Sequence, residues 1–435
     1  MIAPLFYAAY ALLTPPFQTP DEQQHLFRAW QLSEFHLVGE RRGEQAGGVL
    51  PEGLGRAAIP QIGTLDPYGS RRIVKRPLNK QFDNGTPIQP QRRRFFNFPG
   101  SVVYSPVGYG PQVIAIWVGE GAGLSVENII RLGRLLNAGL AIFLLSCAIR
   151  LTPIGGLSLM WIGLLPMTAA SSAAFGQDGL VIGGASLLTA ICLKMIFSGR
   201  WERRELVAAA VLTILLSLSK ILYLPLVMIG GQRFDRGKLN WRSLQAPIFI
   251  AVVASASAAL WLHGISGLVV KTSVDIPSPG QRLASWVHQP SQFLSVLAHS
   301  YITNGMGIPS SLFAFGWMNV SPQWWAVILT GIAGAFVLLI GDPAARIGWQ
   351  TRAWLLLIAV SIALLIGLAL YLSFTPASAT SIKGLQGRYF IPVLPAILIA
   401  ALHRRGLPVR YSLAVPLLMI GSNIFVLQSI VAAYY

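Results

Sequence analysis

The chain has 435 residues, 54% of them hydrophobic and only 11% charged, with a formal net charge of +17. Soluble domains carry about a quarter charged residues, so this composition excludes a water-soluble globular protein and indicates a polytopic membrane protein. Nor does the positive balance indicate nucleic acid: most Lys and Arg stand between apolar runs, where they orient spans and meet anionic lipid.

Ile2 to Leu13 is the first apolar run. It falls short of the ~20 apolar residues a span needs, so either the helix continues through Pro15 and Pro16 or the start of the chain is incomplete. No basic n-region and no small-residue cleavage site precedes it, so no signal peptide is read there. TPPFQTPDEQQHLFRAW, Thr14 to Trp30, follows directly. It sets Asp21 and Glu22 at or just beyond the end of a membrane helix, where ionisable groups are costly and usually functional. Thr19 reads as an N-cap, Pro20 as the first helical residue, and Glu22 as the acid of a T-x-x-E capping box. At helical spacing Leu26, Phe27, Trp30, Leu37 and Val38 share one face, and Asp21, His25 and Arg28 another. The pattern predicts an amphipathic helix on the membrane surface, its acid–His–Arg row turned away from lipid.

This helix opens a long first outer loop, residues 18–103, with 12 of the 33 basic and 8 of the 16 acidic residues. Its length favours a functional loop over a linker. Residues 104–123 read as a second interfacial helix, since Pro106 to Val118 is too short to span. Leu124 to Ile149 crosses, with Arg150 at its inner end. Pro153 to about Ala170 returns, Gly176-Gln177-Asp178 forms an outer turn, and Gly179 to Phe197 crosses back. Cys147 and Cys192 lie inside these runs and read as buried inert thiols. Leu206 to Gly230 is interrupted at Ser217, Ser219 and Lys220 and is basic on both flanks. It therefore reads as a hairpin of two short helices with Lys220 near the bend; one straight span would invert everything downstream. Ala246 to Val270 goes out, and residues 271–323 form a second outer segment with one helical piece, Gln292 to Ile302. Trp324 to Ile340 goes in, Trp354 to Phe374 out, Ile391 to Leu402 in and Tyr411 to Ala433 out, with Thr375 to Phe390 an outer loop.

The hairpin topology gives one domain, residues 1–435, of about eleven helices. Thirteen basic residues then face inward: Arg150, Arg200, Arg203, Arg204, Arg233, Arg236, Lys238, Arg242, Arg346, Arg352, Arg404, Arg405 and Arg410. Four stand in the outer loops after the first, Lys271, Arg282, Lys383 and Arg388, as the positive-inside rule requires.

TPPFQTPDEQQHLFRA, YSPVGYGP, SSAAFGQDG, LSKILYLP and KGLQGRYFIPVLP occur in that order. They resemble a bacterial family of multi-spanning membrane proteins known only as a domain of unknown function, with PPFQxPDE and GxQGRYFxP the specific motifs. More broadly, an acid pair after the first helix, a long outer loop, an aromatic–proline interfacial helix and G-L-S-x4-I-R-L are similar to the GT-C membrane glycosyltransferases, among them protein O-mannosyltransferases and lipid A aminoarabinose transferase. The resemblance implies an all-α integral membrane GT-C-like bundle that takes a sugar from a polyprenyl phosphate carrier on the outer face of a bacterial inner membrane. It also implies that Asp21 matches the catalytic aspartate. YSPVGY departs from the HPPLYY-like helix of those enzymes, with Tyr104 in place of His.

Inverting sugar transfer passes through an oxocarbenium-like transition state and needs a carboxylate to take the acceptor's proton. Asp21 is the candidate, against the plainer reading that it complements a helix N-terminus. Glu22 is explained by the capping box, or is a second acid. His25 and Arg28 share the Asp21 face, and Arg28 could hold Asp21 ionised or meet a phosphate. Lys220 in an apolar hairpin needs a counter-charge that a lipid-linked phosphate would supply, unless it snorkels or pairs with an acid. Arg388 offers a fork suited to phosphate, with Gln386 and Tyr389 as hydrogen-bonding neighbours and Gly384 and Gly387 for close backbone approach; an interfacial anchor is the alternative. Asp178 could meet the acceptor, a metal or Arg388, or cap a simple polar turn. Phe313, Phe315, Trp317, Trp324 and Trp325 could line a sugar or lipid groove or form an interface belt. No cofactor is expected; were a divalent metal bound, Asp21, Glu22 and Asp178 would be its ligands. No P-loop or Rossmann fingerprint offers a nucleotide-sugar site. The expected partners are a polyprenyl phosphate sugar, membrane lipid, and a glycan, lipid or protein acceptor. The rivals are a lipid or polysaccharide transporter, which should show a repeat that is not seen, and a non-catalytic assembly factor.

Overall fold

A computed structural model of the chain describes residues 2–435 apart from 63–74, 76–84, 200, 233, 236–237, 271–275, 278, 289, 304, 346 and 405. Arg200, Arg233, Arg236, Lys271, Arg346 and Arg405, used above to weigh the two membrane faces, lie outside the described residues. Among the described residues six segments are long and apolar enough to cross a membrane: Val126–Leu151, Asp178–Ser198, Arg203–Gly231, Trp241–Gly264, Trp349–Ser373 and Val409–Tyr434. Ala3–Leu13, Phe293–Thr303, Trp324–Ile340 and Gly387–Ala401 are shorter apolar helices. The chain is thus a mostly helical, multi-pass membrane protein. Among the described residues several of the expected helices fall short of spanning length because proline or a polar residue splits the apolar runs.

Helix α1 (Ala3–Leu13) ends at Thr14, whose extended backbone leads into Pro15; it does not run on through the prolines. Helix α2 (Glu22–Ser33) follows, then β1 (Glu40–Arg42), β2 (Gln45–Pro51), α3 (Glu52–Ile62), β3 (Arg93–Asn97), α4 (Pro99–Val102), a 3-10 turn at Pro106–Tyr109, and α5 (Gly110–Gly121). The three strands form an antiparallel sheet in the order β1-β2-β3, with Glu40 opposite Gly47 and Gly48 opposite Phe96. This sheet is absent from the all-helical expectation. It corrects the reading of α2 as a surface helix: Leu26 and Trp30 are fully buried with Phe96, Phe98, Tyr109 and Ile129. Each such side chain contributes about 1.5–3 kcal/mol on burial. Only Leu37 and Val38, beyond the end of the helix, remain exposed.

The first helix of spanning length is α6 (Val126–Leu151), whose N-cap Ser125 accepts from the Asn128 amide. The expected single return span is two short helices, α7 (Gly156–Leu164) and α8 (Pro166–Ser172), broken where Leu165 takes the extended conformation that precedes proline. Helix α9 (Asp178–Ser198) is the most enclosed span. Helix α10 (Arg203–Lys220) gives way to a 3-10 segment, Ile221–Gly231, at Lys220, whose φ of −150° and ψ of 94° leave helical geometry. A Cβ on Gly230 would come within 2.9 Å of Trp201, just before α10. The two ends therefore lie side by side and Lys220 sits at the tip, so this stretch doubles back although it is long enough to cross once.

Next come α11 (Gln245–Gly264), α12 (Pro279–His288), α13 (Pro290–Thr303), α14 (Gly307–Ser310) and α15 (Trp324–Ile340). Residues 271–323, expected to hold one helical piece, thus hold α12, α13, α14 and a 3-10 turn at Ser311–Phe313 among the described residues. Then α16 (Trp349–Ser373), a 3-10 turn at Gly387–Val393, α17 (Leu394–Ala401) and α18 (Ala414–Tyr434) complete the chain. The hairpin packs with α9, α16 and α17 in one buried apolar cluster, and Ser105 Oγ ties its tip down by donating to the Leu218 carbonyl at 2.8 Å.

Candidate functional site

The turn between α1 and α2 is held by a buried ion pair. Arg134 on α6 donates from Nε to Glu22 Oε1 at 2.7 Å and from Nη2 to Oε2 at 2.6 Å. Its remaining donors take the carbonyls of Ala11, Thr14 and Pro15. Glu22 also accepts from the amides of Phe17 at 2.6 Å and Phe175 at 3.2 Å. Both side chains are 0% exposed. A carboxylate is tolerated there because every lone pair and charge is answered. Glu22 therefore closes no capping box: the helix starts at Glu22 itself, with Asp21 at the N-cap and Thr19 Oγ1 making no hydrogen bond among the described residues. Phe17 and Asp21 both have left-handed backbones, φ 66° and 61°. Such positions are strained for non-glycine residues and persist where the surroundings impose them. Here the lock imposes a turn that leaves the Asp21 side chain exposed.

Asp21 opens onto a cavity of about 560 Å³ lined also by His25, Tyr104, Asp178, Lys220, Gln386, Arg388 and Tyr389. Residues far apart in the chain thus meet at one place. Lys220 Nζ lies 2.5 Å from Asp178 Oδ1, the pair being 22% and 28% exposed. Tyr389 has two cations near its ring, with Lys220 5.8 Å and Arg388 5.4 Å from its centre. Its carbonyl accepts from Tyr223 at 2.9 Å. Arg388 Nε is buried and makes no hydrogen bond among the described residues. Gly387 sets that arginine: its amide donates to Ser311 Oγ at 2.6 Å, and a Cβ there would meet the Ile308 carbonyl oxygen at 2.3 Å. Gly384, with φ +77°, faces Phe374. The close approach expected of these glycines is thus to protein.

His25 stacks on Tyr104 with 5.8 Å between centroids and 15° between planes, and its Nδ1 lies 2.7 Å from the Tyr109 hydroxyl. Burial pushes the imidazole below its ordinary range, against the attraction of Asp21, so it is neutral near pH 7. Burial likewise raises the Tyr104 and Tyr109 phenols. Arg28 does not join the cavity. It donates to the Tyr104 carbonyl at 3.1 and 2.8 Å, to the Leu37 carbonyl at 2.8 Å and to Gln31. Burial lowers it to about 10, mainly by desolvation, and it is still a cation. Its work is to anchor α2, neither holding Asp21 nor facing a phosphate.

The three acids named as ligands were a divalent metal bound, Asp21, Glu22 and Asp178, are not gathered, since Glu22 points to Arg134; among the described residues no group of three or more His, Cys, Asp or Glu comes together. Of the aromatic set, Phe315 lines the cavity and Trp317 Nε1 donates to the Phe17 carbonyl at 3.0 Å, while Trp324 and Trp325 stack on each other at the exposed start of α15. Arg134 and Tyr109 were not singled out from sequence. An arginine inside an apolar run was the available signal for Arg134.

The lining also includes the apolar side chains of Met167, Ile221, Leu222, Leu262, Ile366 and Leu370. Ile221 and Leu262 are 40% and 55% exposed. The cavity therefore combines both charge signs with apolar side chains. A family model described as "Predicted membrane protein (DUF2142)" matches residues 5–397. No curated protein and no solved structure matches the chain.

Proposed function

The chain belongs to the DUF2142 family of membrane proteins, and from that premise we propose that it is a glycosyltransferase of GT-C type. It moves a sugar from a polyprenyl phosphate carrier to a glycan, lipid or protein acceptor on the outer face of a bacterial inner membrane. In this reading the short helices complete an eleven-helix bundle and the cavity opens outward. One observation carries the proposal: Asp21, Lys220 and Arg388, from the two ends and the middle of the chain, line one cavity together with apolar side chains. The prenyl chain lies along Ile221, Leu222 and Leu262. Arg388, with its unengaged Nε, and Lys220 face the carrier phosphate, where positive charge stabilises the leaving group.

The acceptor oxygen attacks the anomeric carbon as the bond from that carbon to the phosphate oxygen breaks. The bonding pair leaves on the phosphate, and the acceptor's proton passes to Asp21. Neutral His25, beside Asp21 and steadied by Tyr109 and Tyr104, orients the acceptor hydroxyl. Glu22 acts only by holding the turn. The test is incubation of purified protein with radiolabelled polyprenyl phosphate sugars and membrane acceptors. Transfer should occur, and Asp21→Asn should lower it by at least ~10²-fold without changing the melting temperature. Full transfer by that variant would remove Asp21 as the base. Movement of the lipid-linked sugar across the bilayer without bond cleavage would replace the enzyme with a transporter.

A further inference from the structure

We propose that Asp178 ejects the spent carrier, by opposing the second negative charge that the carrier phosphate gains on transfer. The inference rests on the function proposed above and concerns product release, after the chemical step. The donor head group is a phosphodiester with one negative charge. When the sugar leaves, the retained electron pair makes it a monoester, whose second ionisation near pH 6 brings it to about −1.5 to −2 at pH 7. While Asp21 holds the acceptor's proton the cavity's total charge is unchanged. Once Asp21 gives that proton to water, the cavity holds one negative charge more than it did with donor bound.

The lining residues set how that charge is received. Two cations, Lys220 and Arg388, and two carboxylates, Asp21 and Asp178, line the cavity. Asp178 already engages Lys220 at 2.5 Å and lies within electrostatic reach of Arg388. It therefore cancels about one of the two positive charges. A diester finds enough positive charge to bind, whereas the monoester's added charge finds no second free cation, because Asp178 already neutralises one of the two. Were Asp178 only the counter-ion that keeps Lys220 in place, its loss would weaken both ligands alike. The two roles thus predict opposite signs for the product.

The experiment is a binding titration, in nanodiscs at pH 8, of a polyprenyl monophosphate and of its glycosyl phosphodiester. Asp178→Asn should bind the monophosphate about tenfold more tightly, as expected for removing one like charge at short range in a partly screened site. Its affinity for the diester should move much less. Asp178→Glu should keep the wild-type ratio of the two affinities. A second comparison removes the counter-ion role: Asp178→Asn added to Lys220→Met should again tighten the monophosphate relative to Lys220→Met alone, and it leaves no lysine unpaired should the single variant misfold. Equal or weaker monophosphate binding in that background overturns the inference. Wild-type protein that binds neither compound overturns the functional proposal and this inference together, whereas binding of both with no response to Asp178 overturns this inference alone.

Discussion

Arg134→Met tests whether the buried lock holds the Asp21 turn. The substitution keeps most of the side-chain volume but removes both bonds to Glu22 and the donors to the Ala11, Thr14 and Pro15 carbonyls. Glu22 would be left as a carboxylate with 0% exposure and only the Phe17 and Phe175 amides as partners. Removing one member of such a pair costs about 3–5 kcal/mol, mostly the penalty of the abandoned charge. At ~1–2 °C per kcal/mol for a chain of this length, melting in detergent should fall by several degrees. Glu22→Gln added to Arg134→Met removes the orphan charge while keeping an amide oxygen for the Phe17 or Phe175 amide, and should recover at least half of the loss. A single variant that melts with wild type, or a double variant that melts no higher than the single, would show that the Arg134–Glu22 pair does not hold the turn.

The same geometry sets three further outcomes. His25 is held below its ordinary range by burial, so below pH ~6.5 the unfolded chain binds a proton that the folded one refuses. That stability is complete above ~6.5 and is lost as pH falls toward the folded value; His25→Asn should therefore show a smaller drop in melting temperature between pH 7.5 and 5 than wild type, and an equal drop would count against a buried neutral imidazole. Gly387→Val places a branched side chain against the Ile308 carbonyl, 2.3 Å from its Cβ position, and against Leu312 at 2.8 Å. It should displace Arg388 and weaken prenyl phosphate binding about tenfold or more, as read by titration; unchanged affinity would detach Arg388 from the phosphate site. Arg28→Met should destabilise the fold through its abandoned carbonyls by about 1–3 kcal/mol, read by melting, while prenyl phosphate affinity in the folded fraction stays at the wild-type level.

The doubling back of the chain at Lys220 was legible because it follows from gross patterning. Basic residues on both flanks of one apolar run, with Ser217, Ser219 and Lys220 interrupting it, demand a return to the same side, and the chain does return, from Lys220 to Gly230 beside Trp201. The sheet was not legible. Its central strand, QAGGVLP, contains two glycines and a proline, all poor strand residues. Its partner, RRFFN at Arg93–Asn97, is supplied from far along the chain. With no sheet in view, the apolar face of α2 had only lipid to lie against, which is why Leu26 and Trp30 were assigned to the membrane surface rather than to Phe96 and Phe98.

Within the site, residue type identified the charged groups but not their neighbours, and neighbours decide the role. Asp21 and Glu22 are adjacent acids that composition cannot tell apart. The T-x-x-E spacing even made Glu22 the better explained of the two, and for the wrong reason: its partner is 112 residues away on α6. The row of Asp21, His25 and Arg28 assumed one continuous helix. The helix begins at Glu22, and the left-handed backbone of Asp21 takes that residue off the wheel. His25 still reaches the cavity because its side chain follows the first turn, between Tyr104 and Tyr109. Arg28, one turn further on, meets the Tyr104 and Leu37 carbonyls instead. The strained turn thus separates a solvent-facing acid from a sealed one in consecutive residues. That separation lets a single dipeptide both present a carboxylate to the cavity and bolt it to the bundle.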